Sequence, residues 1–323
     1  MSSARDAARP PAPGVGRFAP SITGPAHPGT MLAALLAWLD ARSRGDAIHL
    51  RLEDLDPDRC RPEYATSLLD AFEWMGLEFD GLRRQSESAD IHAAALDQLA
   101  EAGRIYPCRC TRRELRATAE RAPDGSFVYP GTCRGRTLPA VEEGGWRATD
   151  EPLRVHLPAG RVEPVDEGGL DLASDPGVTH GDPVVRRRDG AVAYQLAGVV
   201  DDAALGVTRV VRGRDLAPST STQCAIAALL GLAWPTYRHH LLLLETHGGK
   251  LAKLHGSVGF DAVRAHMDGP ALVGLLAWGV GIRDSSEPVM PAELVTGFDW
   301  ANVHREDRAV QWDGERGELG FVG

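Results

Sequence analysis

Long hydrophobic runs are missing from this chain. No apolar stretch among its 323 residues reaches the ~18 that a membrane-spanning helix requires. The longest candidate, residues 271–280, is broken by Gly274 and Gly279. The first residues lack the hydrophobic core of a secretory signal, so export is not expected and the cytoplasm is the expected location. Cysteine is scarce. There are five, and an odd number argues against a disulfide scaffold. Positive charge is not in excess either: 35 Lys and Arg stand against 45 Asp and Glu, a net charge of −10 at pH 7. Phosphate contacts dominate nucleic-acid affinity, so this balance excludes a broad, non-specific nucleic-acid binder. It leaves room for local basic clusters, of which Arg186-Arg187-Arg188 and Arg109-Cys110-Thr111-Arg112-Arg113 are two; both read equally well as solvated surface charge. There is no internal repeat and no nucleophile–base–acid triad. What is present, 43% hydrophobic and 25% charged residues, is ordinary for a soluble globular protein.

The segment order predicts an α/β fold. Residues 16–19 read as a strand, 31–43 as an apolar-faced helix and 48–51 as a second strand. A strand–loop–helix–strand unit of this kind opens a doubly wound, Rossmann-like parallel sheet. Residues 62–75 and 88–102 carry helical apolar spacing. Residues 191–200 and 206–212 are apolar strand or helix candidates that return to the sheet. Residues 219–232 read as a helix, with hydroxyl caps at 219–222 and Gly231 as its stop. The predicted organisation is a disordered leader over 1–15 and a first catalytic half over 16–102. An inserted, metal-bearing module over 103–190 follows, then a second half over 191–255 and a small helical appendage over 256–323.

Two distant stretches point to phosphate chemistry. Arg17-Phe18-Ala19-Pro20-Ser21-Ile22-Thr23-Gly24-Pro25-Ala26-His27-Pro28-Gly29-Thr30 is a turn rich in Ser, Thr, Gly and His that runs into a helix. A helix N-terminus with flexible backbone N–H groups suits a phosphate, and His27, Ser21, Thr23 and Thr30 add donors. Alone, the stretch also reads as an ordinary capped helix. Gly249-Lys250-Leu251-Ala252-Lys253 supplies two cations on a Gly-Gly turn.

Cys108-Arg109-Cys110 is followed by Tyr129 and Cys133. Three thiolates in a polar insertion suit a tetrahedral zinc. The phenol of Tyr129 is an unusual fourth ligand, and three reduced thiols without a metal are the competing reading. Cys60 and Cys224 lie outside the group and are expected to be free.

Taken together, these stretches resemble the glutamyl branch of the class I aminoacyl-tRNA synthetases. His27-Pro28-Gly29-Thr30 resembles the HIGH motif, and Lys250-Leu251-Ala252-Lys253-Leu254 resembles the KMSKS loop. The short chain and the Cys/Tyr pattern are similar to those of the glutamyl-queuosine tRNA(Asp) synthetases. The resemblance covers about residues 16–255.

It implies a ligase that activates L-glutamate with ATP and Mg2+ and passes it to the queuosine base of tRNA(Asp). It implies catalytic roles for His27, Lys250 and Lys253, and ATP contacts from Thr23, His27, Gly29, Thr30 and Lys253. It places Arg17 and Arg212 at the glutamate carboxylates, Tyr194 as a hydrogen-bond donor, and Glu53 and Ser21 at the ammonium. Phe18, Ala19 and Pro20 line the same pocket. It implies one Zn2+ per chain on Cys108, Cys110, Tyr129 and Cys133. Asp201, Asp202 and Asp215 are expected as structural supports.

Two departures stand out: Ile22 replaces the usual Pro, and Ala252 replaces the first Ser of the loop. A lost hydroxyl is worth ~1 kcal/mol, about fivefold in rate. The alternatives are a truncated or discriminating glutamyl-tRNA synthetase and a noncatalytic tRNA- or protein-binding paralogue. The oligomeric state is not legible.

Overall fold

The computed structural model describes residues 13–246, 259–314 and 316–322. Residues 1–12, most of the expected leader, lie outside this description.

The chain opens with β1 (Val15–Phe18), α1 (Pro28–Arg44) and β2 (Ala47–Leu52), followed by α2 (Pro62–Met75), β3 (Gly81–Arg84) and α3 (Ala89–Glu101). The ends of α1 follow from local chemistry. His27 caps it, its ring accepting from the Thr30 backbone N–H, and Pro28 enters the first turn, where a missing N–H costs nothing. Gly45 ends it at φ 72, a conformation that favours glycine. Leu32, Leu35, Leu36 and Leu39 of α1 are buried against the sheet. Each such side chain contributes about 1.5–3 kcal/mol.

A segment of short elements comes next: β4 (Ile105–Pro107), α4 (Arg112–Thr118), β5 (Leu153–Val155), α5 (Pro176–Thr179) and β6 (Val184–Arg186). The chain returns through α6 (Tyr194–Ala204), β7 (Arg209–Gly213), α7 (Thr220–Leu229), β8 (Thr236–His240) and β9 (Leu243–Glu245). The last elements are α8 (Phe260–Arg264), α9 (Gly269–Gly279), α10 (Pro291–Leu294), β10 (Arg308–Asp313) and β11 (Glu318–Val322).

Five strands form one sheet in the order β3-β2-β1-β7-β8, and every pairing in it is parallel. The connection reverses direction between β1 and β7. In such sheets ligands bind at the carboxyl ends of the strands beside this switch point. The segment between the halves forms its own antiparallel sheet, β4-β5-β6. That sheet packs against α3, α6 and α7 through Leu99, Ile105, Leu153, Val155, Leu196 and Ile226.

Of the two strand-or-helix candidates, residues 191–200 settle as helix α6 from Tyr194 and 206–212 as strand β7. Two expectations need revision. The hydroxyls at the start of α7 do not cap it: Ser219, at the cap position, makes no capping bond, and the Thr220 and Ser221 hydroxyls meet Arg212 and Ser174. The C-terminal segment is also more than a helical appendage, since a hairpin follows its helices α8, α9 and α10. β10 and β11 form an antiparallel hairpin whose β10 runs parallel to β9, and Leu272, Val273, Leu276 and Ala277 of α9 are buried in the main core. The close packing has a covalent reason. A Cβ at Gly269 would sit 1.8 Å from the Trp74 carbonyl oxygen, and one at Gly274 2.1 Å from that of Glu287.

Candidate active site

A cleft of about 490 Å³ lies at the carboxyl ends of β1, β7 and β8. Arg17, Phe18, Ala19, Pro20, Ser21, Thr23, His27, Gly29, Thr30, Glu53, Tyr194 and Arg212 all line it. They come from β1 and the loop after it, the start of α1, the residue after β2, the first residue of α6 and the end of β7. Lys250 and Lys253 lie outside the described residues.

Strand alternation sorts the end of β1. Phe18 faces the core, its ring 5.6 Å edge-on to Phe72. Arg17 faces the other way, buried, with Nε donating to Asp202 at 3.3 Å. Beyond the strand the pairing with β2 continues: Glu53 N–H donates to the Pro20 carbonyl at 3.0 Å and Ile22 N–H to the Glu53 carbonyl at 3.4 Å. This brings Ser21 level with Glu53. A proline in place of Ile22 would have no N–H to give.

Beneath the cleft is a buried charge cluster. Arg51 is 2% exposed and donates to Asp202 at 2.5 Å and Glu53 at 3.2 Å, with Asp201 at 3.9 Å. Asp201 accepts from Gln85 at 2.7 Å and meets His92 at 2.8 Å. Burial alone would push the Asp202 carboxyl up. Arg17 and Arg51 outweigh it and hold the group below the usual carboxylate range. Burial prevails at Glu53, whose carboxyl is pushed up against the pull of Arg51 and Arg17. Two guanidiniums, Arg17 and Arg51, face three carboxylates, so this group is one positive charge short.

Arg212 is held differently. Its Nε donates to His239 Nε2 at 3.0 Å, Nη1 to Gln223 at 2.9 Å, and Nη2 to Thr220 Oγ1 at 2.7 Å and the Leu216 carbonyl at 3.3 Å. Four of its five N–H donors are committed to the protein, which leaves one on Nη1. Arg17 is the more open of the two arginines: neither of its terminal nitrogens has a partner among the described residues. The Tyr194 hydroxyl and one Glu53 oxygen have none either. Of these side chains, Arg51, Gln223 and His239 were not assigned from the sequence. Arg51 ends the expected strand 48–51, but nothing local marks the other two.

At the mouth, the His27 ring meets Thr30 twice, Nδ1 facing the backbone N–H at 3.4 Å and Nε2 the hydroxyl at 3.0 Å. His27 is thereby set at the N-terminus of α1, where the helix dipole favours an anion.

Some distance along the chain, the sulfurs of Cys108, Cys110 and Cys133 lie within 4.8 Å of one another. Cys110 and Cys133 are 3.6 Å apart, and the Tyr129 hydroxyl is 3.4 Å from Cys108 and 3.6 Å from Cys110. A tetrahedron with Zn–S of ~2.3 Å has edges of about 3.5–3.8 Å. Although burial opposes ionisation, bonds from the Tyr129 hydroxyl and the Arg109 backbone bring the Cys133 thiol down to about 7. The three thiols form a donor set that can hold a metal ion. Cys60 and Cys224 are free thiols outside it.

The sheet order, the switch-point cleft and the His-capped helix fit a class I aminoacyl-tRNA synthetase catalytic domain. The family described as "tRNA synthetases class I (E and Q), catalytic domain" matches residues 15–312. The chain is 42% identical to a glutamyl-Q tRNA(Asp) synthetase of Symbiobacterium thermophilum, over 90% of this chain and 94% of that protein. It is also 42% identical to one of Nocardia farcinica, over 93% and 94% of the two chains. A solved glutamate tRNA ligase of Elizabethkingia meningosepticum superposes with a TM-score of 0.74 at 26% identity, covering 94% of this chain and 68% of that one. The chain belongs to the glutamyl-Q tRNA(Asp) synthetase family of class I synthetases, and it is a ligase. Enzymes of this class use ATP with Mg2+. No helix among the described residues is long and apolar enough to cross a membrane.

Proposed function

We propose that this chain activates L-glutamate with ATP and Mg2+ and transfers it to the queuosine base of tRNA(Asp). One observation carries the reading. The groups left open in the cleft are the terminal nitrogens of Arg17, one N–H of Arg212, the Tyr194 hydroxyl and one oxygen of Glu53. Three kinds of cationic or neutral donor with one carboxylate complement a molecule bearing two carboxylates and one ammonium. The ammonium also supplies the positive charge that the Arg17–Arg51 group lacks. Ser21, level with Glu53, is its second partner, and Phe18, Ala19 and Pro20 close the wall.

Chemistry then needs two displacements. A glutamate α-carboxylate oxygen attacks the α-phosphorus of ATP, the bond to the bridging oxygen breaks, and pyrophosphate leaves. Charge grows on the phosphate oxygens, where Thr23, the Thr30 hydroxyl and the backbone at Gly29 offer donors, and His27, whose two ring nitrogens both meet Thr30, sets that hydroxyl in place. Lys250 and Lys253 would add the cations. A hydroxyl of the queuosine cyclopentenediol next attacks the activated carbonyl and AMP departs. No side-chain nucleophile is required; the second step depends mainly on positioning.

Cys108, Cys110, Cys133 and Tyr129 would hold one structural Zn2+. When bound, the ion cross-links residues 108–133 within the segment 103–190, which we read as a module inserted between the two catalytic halves, 16–102 and 191–255.

The test is transfer of labelled glutamate to tRNA(Asp) with and without queuosine, beside ATP–pyrophosphate exchange lacking tRNA. Exchange without tRNA and transfer only to the modified tRNA support the proposal. Transfer to tRNA(Glu), with exchange that needs tRNA, identifies a truncated glutamyl-tRNA synthetase. No exchange with any amino acid identifies a binding paralogue.

A further inference from the structure

Asp166 comes from the segment between the catalytic halves, far from the cleft in sequence. Residues 165–167 run beside β8. Tyr237 N–H donates to the Val165 carbonyl at 2.9 Å, and Glu167 N–H to the Tyr237 carbonyl at 2.9 Å. One oxygen of Asp166 thereby accepts twice from the next residue but one on β8, from the His239 backbone N–H at 3.0 Å and from its Nδ1 at 2.6 Å. Both side chains are 0% exposed. The other ring nitrogen, Nε2, accepts from Arg212 Nε at 3.0 Å.

These contacts leave a single proton arrangement. Arginine has no acceptor and keeps all its protons, so His239 Nε2 must be bare. The ring proton then sits on Nδ1 and is given to Asp166. The Thr220 hydroxyl, 3.4 Å from Nε2, is compatible with the same arrangement. Burial, and with it the charge of Arg212, keeps the imidazole neutral although Asp166 pulls the other way. A His239 turned to its other tautomer would aim N–H at N–H, and Arg212 would have to turn its guanidinium away from the cleft.

We infer that the Asp166–His239 pair is a positioning device that fixes the tautomer of His239 and so aims the one uncommitted N–H of Arg212 at the amino-acid substrate. The inference rests on the glutamate reading of the cleft for the identity of that substrate, but not for the proton arrangement. Neither residue touches the substrate; both act through Arg212. The Asp166 carboxylate also ties the inserted segment to the pocket wall, so a substrate-specificity element is split between two parts of the chain.

The tautomer is measured directly by nitrogen NMR of 15N-histidine-labelled protein without ligands at pH 7, the His239 signal being identified from its loss in His239→Gln. The expected state is Nδ1 protonated and Nε2 bare. A protonated Nε2 overturns the inference whatever the substrate is.

Kinetics test the consequence. His239→Phe removes the acceptor and is expected to raise the KM for glutamate about tenfold or more, leaving the KM for ATP within about threefold. His239→Gln, whose amide oxygen can take the Nε2 position, is expected to recover most of that loss. Asp166→Asn keeps an oxygen for both bonds and is expected to stay near wild type, whereas Asp166→Ala is expected to follow His239→Phe. Equal effects of the two Asp166 substitutions, or an unchanged KM in His239→Phe, overturn the inference. Wild-type protein that activates another amino acid but not glutamate removes the glutamate reading instead, and the NMR result then decides the relay alone.

Discussion

A Cβ on Gly29 would sit 3.1 Å from Cε1 and 3.2 Å from Nδ1 of the His27 ring. The imidazole leans over the first turn of α1 because residue 29 has no side chain. A side chain here would meet the ring closely enough that one of the two must give way.

Gly29→Ala is therefore expected to push the His27 ring by a few tenths of an ångström. Small displacements of groups that act on a transition state are costly in rate. Single-turnover adenylate formation should fall about tenfold, with the melting temperature changed by less than about 2 °C. An unchanged rate would separate His27 from the chemistry.

Asp202 accepts from two buried arginines, and among the described residues it is the only carboxylate bonded to Arg17, so its loss leaves that guanidinium without a carboxylate partner. Asp202→Asn should cost about 3–5 kcal/mol in urea unfolding at pH 7. The folded pKa of Asp202 lies below its unfolded value of about 3.9. Its stabilisation is thus complete above that value and is lost as the pH falls through the folded one. The gap between wild type and variant should be full at pH 7 and shrink below about pH 4. A gap that stays constant down to pH 3 would remove Asp202 from the acid sensitivity.

Purified protein should carry about one zinc per chain, and a strong chelator should lower its melting temperature. Cys108→Ser should lose the ion and loosen residues 103–135 in hydrogen exchange. Metal-free protein after purification without chelator would sink the zinc site.

Lys250 and Lys253 are the only lysines in the chain. The amines of the chain are therefore these two side chains and the N-terminus. Acylation should abolish pyrophosphate exchange, and ATP with Mg2+ should protect against it. Lys253→Ala should lower the adenylation rate about a hundredfold or more, while Ala252→Ser should change it by less than about tenfold. Full activity with both side chains acylated would exclude the lysines from the mechanism.

Local chemistry made the first half of the catalytic fold legible. The proline after His27, the glycine after Arg44 and the apolar spacing of 31–43 each act over one turn, so they can be read in order along the chain. Cys108, Cys110 and Cys133 also stand out along the chain, and the fold brings their sulfurs within 4.8 Å of one another. The hairpin at 308–322 escaped; β10 takes its place by pairing with β9, more than sixty residues away, which no local signal encodes. What the sequence alone determined, then, was which chemical groups were present and which short segments could carry them. Only the tertiary structure decided which donors remain open. Four N–H groups of Arg212 are taken up by Leu216, Thr220, Gln223 and His239, and Asp202 claims one of Arg17, leaving Arg17 as the more open guanidinium. The physical reason is that hydrogen bonds between buried groups depend on packing across the whole sheet, and no spacing rule along one strand encodes which partner arrives from the others.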